Sequence, residues 1–235
     1  TLGTRTLENL PDFARRARWF AKHKPDLARH VTQTHVRAEG RGQLLSIVAP
    51  EQLDRVLRYL LDESEFLAPN GIRALSAIHR EHPFTLELAG MTFNVDYDPG
   101  ESTTGLFGGN SNWRGPIWFP VNFLVIEALR KFAMFFGSDH VVECPTGSGQ
   151  MVELADVADM LSDRLINLFR DDSRGRRPCF GSDERAQTDP AWHDNLLFHE
   201  YFHGDTGEGL GASHQTGWTG LVADLIVRQG RGSFG

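Results

Sequence analysis

Glu200 sits in the run Phe198-His199-Glu200-Tyr201-Phe202-His203-Gly204-Asp205-Thr206-Gly207-Glu208-Gly209, and Gly211-Ala212-Ser213-His214-Gln215-Thr216-Gly217-Trp218 follows at once. A carboxylate at the end of an aromatic segment, ahead of a glycine-rich loop full of hydrogen-bonding groups, suits a general base. Such a base must lie within hydrogen-bond reach of the proton it takes. His199-Glu200-Tyr201-Phe202-His203 also spells the zinc-peptidase pattern, in which two histidines on one helix face bind the metal and the glutamate acts as base. A catalytic zinc needs a third protein ligand as well. In the extended pattern Thr206 takes the glycine position and Gly209 the last histidine, while Asp224, set among Leu221, Val222 and Leu225, reads as structural. Base catalysis without a metal or cofactor is therefore the first reading, and zinc peptidase chemistry the alternative.

A second stretch, Phe107-Gly108-Gly109-Asn110-Ser111-Asn112-Trp113-Arg114-Gly115-Pro116-Ile117-Trp118, holds the parts of a sugar subsite. Glycines let backbone approach a ligand, indole rings offer apolar faces for pyranose rings, and Asn and Arg can bind hydroxyls. The same residues also suit a structural loop, with Trp118 in the core and Arg114 in an ion pair. Three partial matches are weaker. Pro145-Thr146-Gly147-Ser148-Gly149-Gln150 lacks the lysine of a phosphate loop, and Gly211-Ala212-Ser213-His214-Gln215 lacks the closing glycine of a nucleophile elbow. Asp171 to Arg177 reads as a solvated turn.

The elements that must position these residues follow from periodicity. Seven segments read as helices: Leu10 to His23, Pro50 to Asp62, Gly71 to His79, Pro116 to Phe136, Val152 to Phe169, Pro190 to Phe202 and Thr216 to Val227. The fourth carries apolar residues on more than one face, so it is expected to be buried on most sides. Thr85 to Val95 alternates about Ala89-Gly90 as a β-hairpin does. The expectation is an all-α chain, more than half helical, an α/α toroid or bundle whose loops build a site at one end. No linker divides the 235 residues, which read as one domain.

Composition narrows the function classes. With 40% hydrophobic residues and a formal charge of -7, the chain is globular and has no broad basic surface for nucleic acid. Cys144 and Cys179 are too few for a disulfide framework and read as buried thiols. No window has the roughly 18 apolar residues of a membrane span, and the N-terminus lacks a secretion signal, so the expected location is the cytoplasm, away from membranes. The opening on Thr1 reads as a fragment of a longer chain.

The motifs together resemble the C-terminal portion of glycoside hydrolase family 63, the family of the processing α-glucosidase (mannosyl-oligosaccharide glucosidase). The likeness runs, in order, through Phe66-Leu67-Ala68-Pro69-Asn70-Gly71-Ile72-Arg73-Ala74-Leu75-Ser76, Gly108 to Trp118, Glu143 to Gly149 and Glu200 to Trp218. It implies part of an (α/α)6 barrel and hydrolysis of α-glycosidic bonds with inversion, with an aspartic acid as general acid and a glutamate as base. By position that glutamate is Glu200. Asn112, Trp113, Arg114, Trp118 and Trp218 fall on the sugar-binding side, and His203, Asp205, His214 and Gln215 in the loop after the base. The implied partner is a carbohydrate: an α-glucoside, or a glucosyl or mannosyl conjugate of a small acid. His199 and Asn70 depart from the family, which favours an aromatic residue and a tyrosine there. The general-acid motif lies upstream of the matched region, so the fragment is expected to supply the base and part of the pocket but to be inactive alone. A non-catalytic sugar-binding module remains the reading from a different class.

Overall fold

The computed structural model describes residues 8–28, 32–33, 44–46, 48–105 and 111–232. Phe107, Gly108, Gly109 and Asn110 of the glycine-rich stretch lie outside the described residues. About 46% of the described residues are helical, in eight helices with a few small antiparallel hairpins. That is mostly α, yet below the half expected from periodicity.

In chain order the elements are α1 (Pro11–His23), α2 (Pro25–Ala28), β1 (Thr32–Gln33), β2 (Leu44–Leu45), α3 (Pro50–Leu60), β3 (Leu67–Ala68), β4 (Gly71–Ile72), β5 (Phe84–Leu88) and β6 (Met91–Val95). There follow α4 (Phe119–Phe136), β7 (Val141–Glu143), β8 (Met151–Glu153), α5 (Leu154–Asn167), α6 (Glu184–Thr188), α7 (Pro190–His193), β9 (Tyr201–Phe202), β10 (Gly209–Leu210) and α8 (Val222–Gly232). Each sheet is one antiparallel pair joining neighbouring strands in sequence. The β5–β6 hairpin turns at Ala89 and Gly90, both at positive φ, as a two-residue turn of the I′ type requires.

The core forms where α4 packs on α5. Phe119, Ile126 and Leu129 meet Leu154, Val157, Leu161 and Leu165, with Leu53, Leu57 and Leu61 from the α3 side and Leu225 from α8. Each such side chain contributes about 1.5–3 kcal/mol on leaving water. Cys144 and Cys179 are buried free thiols in this core, and burial pushes Cys179 up to about 12. The α4 helix is not covered all round: Val121, Leu124 and Met134 are exposed. No helix among the described residues is long and apolar enough to cross a membrane.

Several of the helices expected from periodicity are replaced or cut short. Residues 71–79 form β4 and only a 3-10 turn at Ala77–Arg80. The buried Asn122 of α4 accepts from the Ile72 N–H at 2.6 Å and donates to the Ile72 carbonyl at 3.0 Å, so a distant side chain takes both groups that a helix would use. The segment expected as a helix over Pro190 to Phe202 is helical only in α7, and beyond it the backbone pairs with the loop after β10. Phe198 N–H donates to the Ser213 carbonyl at 3.1 Å and Glu200 N–H to that of Ala212 at 2.7 Å. The last helix starts at Val222 rather than Thr216, after a 3-10 turn at Thr219–Leu221.

Residues Pro116 to Trp118, expected as the first turn of a helix, are also extended. Ile117 and Phe202 exchange two backbone hydrogen bonds of 2.8 and 2.9 Å. This bridge brings the tryptophan-rich stretch against the Glu200 segment.

Candidate active site

Glu200 lies at a bend just before β9, half-buried. Its carboxylate accepts from the Ser111 hydroxyl at Oε1 (3.1 Å) and from the Ala212 N–H at Oε2 (3.3 Å). An ionised carboxylate offers about four acceptor positions, so these two bonds orient it and leave room for a water molecule. Gly211, at φ +67, makes the close approach possible: a Cβ there would stand 2.9 Å from Glu200 Oε2 and 2.8 Å from the Tyr201 ring. His214 pairs with Phe198 through a parallel bridge, and Gln215 N–H donates to the Phe198 carbonyl at 2.8 Å. The glycine-rich loop thus runs alongside Glu200.

Beside Glu200 stands an aromatic stack. Trp113 lies flat on Trp118, with centroids 3.9 Å apart and planes 3° from parallel, and Trp118 in turn stacks on Tyr201 at 4.9 Å. Trp218 tilts against Trp118 at 5.7 Å. Trp118 and Tyr201 are buried, whereas Trp113 is 38% exposed. Of the stack, Trp113 is therefore the most exposed to solvent.

Asn112, Arg114 and Trp118 are all buried and engaged with protein. Asn112 donates to the carbonyls of Asp98 and Gly100 at 2.7 and 2.9 Å and accepts from the Arg114 N–H at 2.9 Å. The Arg114 guanidinium forks between Asp96 at 2.5 Å and Asp98 at 2.6 Å, with the Thr103 hydroxyl at 2.8 Å. Trp118 Nε1 donates to the Asn112 carbonyl at 2.9 Å. Of the two uses the sequence leaves open for this stretch, the structural one occupies these three side chains. They hold Trp113 and Ser111 in place.

The His199 to His203 segment is not helical, with a bend at Glu200 and β9 at Tyr201–Phe202, so the helix face that the zinc-peptidase pattern uses is not formed. The His199 ring meets Phe202 edge-on, and burial lowers its pKa. His203 Nδ1 accepts from the backbone N–H groups of Asp205 and Thr206 at 3.1 and 3.3 Å, as a turn cap does. Among the described residues no group of three or more His, Cys, Asp or Glu side chains is placed to hold a metal ion.

Asp205, in the turn between β9 and β10, belongs to a separate knot. Its Oδ1 accepts from Tyr97 at 2.8 Å and Arg73 at 3.4 Å, and its Oδ2 from Arg80 at 2.6 Å. Burial pushes this carboxyl up, but Tyr97, Arg80 and Arg73 together outweigh it and hold the group below its ordinary value. A depressed Asp stabilises the fold above its unfolded pKa, about 3.9, and that contribution is lost as pH falls through the folded value. Asp205→Asn should therefore lower the melting temperature at neutral pH, with the gap to wild type closing below about pH 4. A constant gap down to the acid limit would contradict the linkage.

Three residues close to these groups belong to none of the motifs: Tyr97, Asp98 and Glu101. No periodicity or spacing ties the segment from Asp98 to Glu101 to a site about a hundred residues further along the chain.

The chain also compares with known proteins. The family described as the mannosylglycerate hydrolase MGH1-like glycoside hydrolase domain matches residues 28–219, which include Glu200 and the tryptophan-rich stretch. An uncharacterized protein of Saccharomyces cerevisiae, YMR196W, is 48% identical over 229 residues, covering 96% of this chain and 21% of that protein. A probable mannosyl-oligosaccharide glucosidase of Schizosaccharomyces pombe is 24% identical, covering 74% of this chain and 15% of its own length. The mannosyl-oligosaccharide glucosidase of Saccharomyces cerevisiae is 27% identical, covering 52% and 12%. The chain thus spans about a fifth or less of the curated relatives it matches. Matched by the family over most of its length, the chain belongs to the MGH1-like glycoside hydrolase domain family, of the family 63 type that its motifs resemble.

Proposed function

We propose that the complete protein carrying this chain is an inverting glycosidase that cleaves α-glycosidic bonds, with Glu200 as the general base. The observation that carries the reading is the oriented carboxylate of Glu200, held by the Ala212 N–H and by Ser111, two residues before the partly exposed Trp113. In this reading a sugar ring stacks on Trp113, with Trp218, His214 and Gln215 around it. Glu200 takes the proton of a water molecule as that water attacks the anomeric carbon. Inversion needs a second carboxyl group roughly 6.5–9.5 Å away, protonating the leaving oxygen from the other side. Following the family pattern, that acid belongs to the part of the protein outside residues 1–235. The names of the glucosidase relatives favour a glucosyl substrate, and the family description favours a hexosyl conjugate of a small acid.

The test is a proton NMR time course with the complete protein, on α-linked glucose disaccharides and on mannosyl and glucosyl glycerate. The first sugar signal should be the β-anomer, equilibrating later by mutarotation. Initial release of the α-anomer would overturn the inverting mechanism, and cleavage of none of these substrates would overturn the substrate class.

A further inference from the structure

We infer that Glu101 is a positioning residue for the Glu200 base, a deeper reading of the same site that rests on Glu200 being that base. Glu101 stands on the loop after β6, a hundred residues from Tyr201 in sequence, yet both of its carboxylate oxygens are used beside Glu200. Oε2 accepts from the Tyr201 hydroxyl at 2.6 Å, and Oε1 accepts from the Gly211 N–H at 3.0 Å. The next amide in the chain, that of Ala212, is the one that donates to Glu200 Oε2. Consecutive N–H groups of one loop therefore hold the two carboxylates, and Gly211 packs against both Tyr201 and Glu200.

The geometry has a direct consequence. Tyr201 is fully buried, and its ring is clamped under Trp118. Fixing its hydroxyl and the Gly211 amide together fixes the loop relative to β9, which Glu200 directly precedes. Without Glu101 the Gly211–Ala212 segment is tied at one point fewer, and the Ala212 N–H is free to drift from the carboxylate it aims. A displacement of about 1 Å in a catalytic group can cost on the order of 100-fold in rate. The Tyr201 hydroxyl is held protonated, mainly by burial and then by the Glu101 carboxylate, with Glu200 and Asp98 adding to the effect, so it remains the donor in this bond.

The test uses the complete protein on whichever α-glycoside it cleaves. Glu101→Ala should lower kcat about 10–100-fold with KM changed less than about threefold, because the base is misplaced while the sugar platform stays intact. Glu101→Gln should recover kcat to within about threefold, since its carbonyl can accept from Gly211 while its amide donates to the Tyr201 oxygen. Tyr201→Phe should reproduce the loss, and adding it to Glu101→Ala should cost little more, as expected of two groups acting through one bond. If Glu101→Ala does not fold, the contrast between Tyr201→Phe and Glu101→Gln carries the test. Wild-type kcat in Glu101→Ala, a raised KM at unchanged kcat, or additive losses in the double variant would overturn the role of Glu101. Undiminished turnover by Glu200→Gln would instead overturn the base assignment beneath it.

Discussion

Glu200→Gln in the complete protein should reduce kcat by about 10²–10⁴-fold, the usual worth of a positioned general base, with KM changed little. The fold should survive. The Gln carbonyl can accept from the Ala212 N–H while its amide donates to the Ser111 oxygen, whose hydroxyl rotates freely, so both contacts of the wild-type carboxylate have a counterpart. Any stability loss should stay within about 1 kcal/mol, the net worth of one hydrogen bond. What the amide cannot do is take a proton from water. Steady-state kinetics and a denaturant titration on the same preparation separate the two effects. Wild-type turnover would sink the assignment, and a large loss of stability would mean that Glu200 serves the fold before it serves chemistry.

Arg114→Met should produce the opposite split, destabilising the protein by about 3–5 kcal/mol, the usual cost of removing one partner of a buried ion pair. Arg114 is 3% exposed and is the cation for both Asp96 and Asp98. Asp98 is itself largely shielded and would be left without its counter-charge, while Asp96, which is half exposed, can return to water. Arg114→Lys should recover only part of the loss, because a single ammonium cannot fork between two carboxylates and the Thr103 hydroxyl. If Arg114 instead met the substrate, its replacement would raise KM and leave the denaturation midpoint where it was. The two substitutions thus separate the group proposed for the chemistry from a neighbour in the same motif that holds the architecture.

This contrast marks how far residue types alone carry the argument. Trp113 and Arg114 are adjacent and equally suited to a sugar, yet one is partly exposed and the other is enclosed by two carboxylates. The difference comes from the β5–β6 hairpin and the turn after it, which return Asp96 and Asp98 to the Arg114 guanidinium. Ser111 differs in no local feature from its polar neighbours, and its contact with Glu200 follows only from where the Ile117–Phe202 bridge brings it.

Local pattern determined a good deal by itself. The apolar spacing in α1, α3, α4 and α5, the Ala89-Gly90 turn, the buried thiols and the family are all legible in the residues, because each depends on neighbours within a few positions or on motifs read whole. Tertiary structure decided the rest. Aromatic and apolar residues from Leu196 to Phe202 fit a helix as well as a strand, and the strand forms because Ser213, Ala212 and Ile117 supply backbone partners from elsewhere in the chain. Gly71 to His79 forms β4 and a 3-10 turn rather than a helix because Asn122, fifty residues on, takes the polar groups of Ile72. A hydrogen bond closed across such distances leaves no periodicity in the sequence, so the elements built on it, and the site they carry, emerge only once the chain has folded.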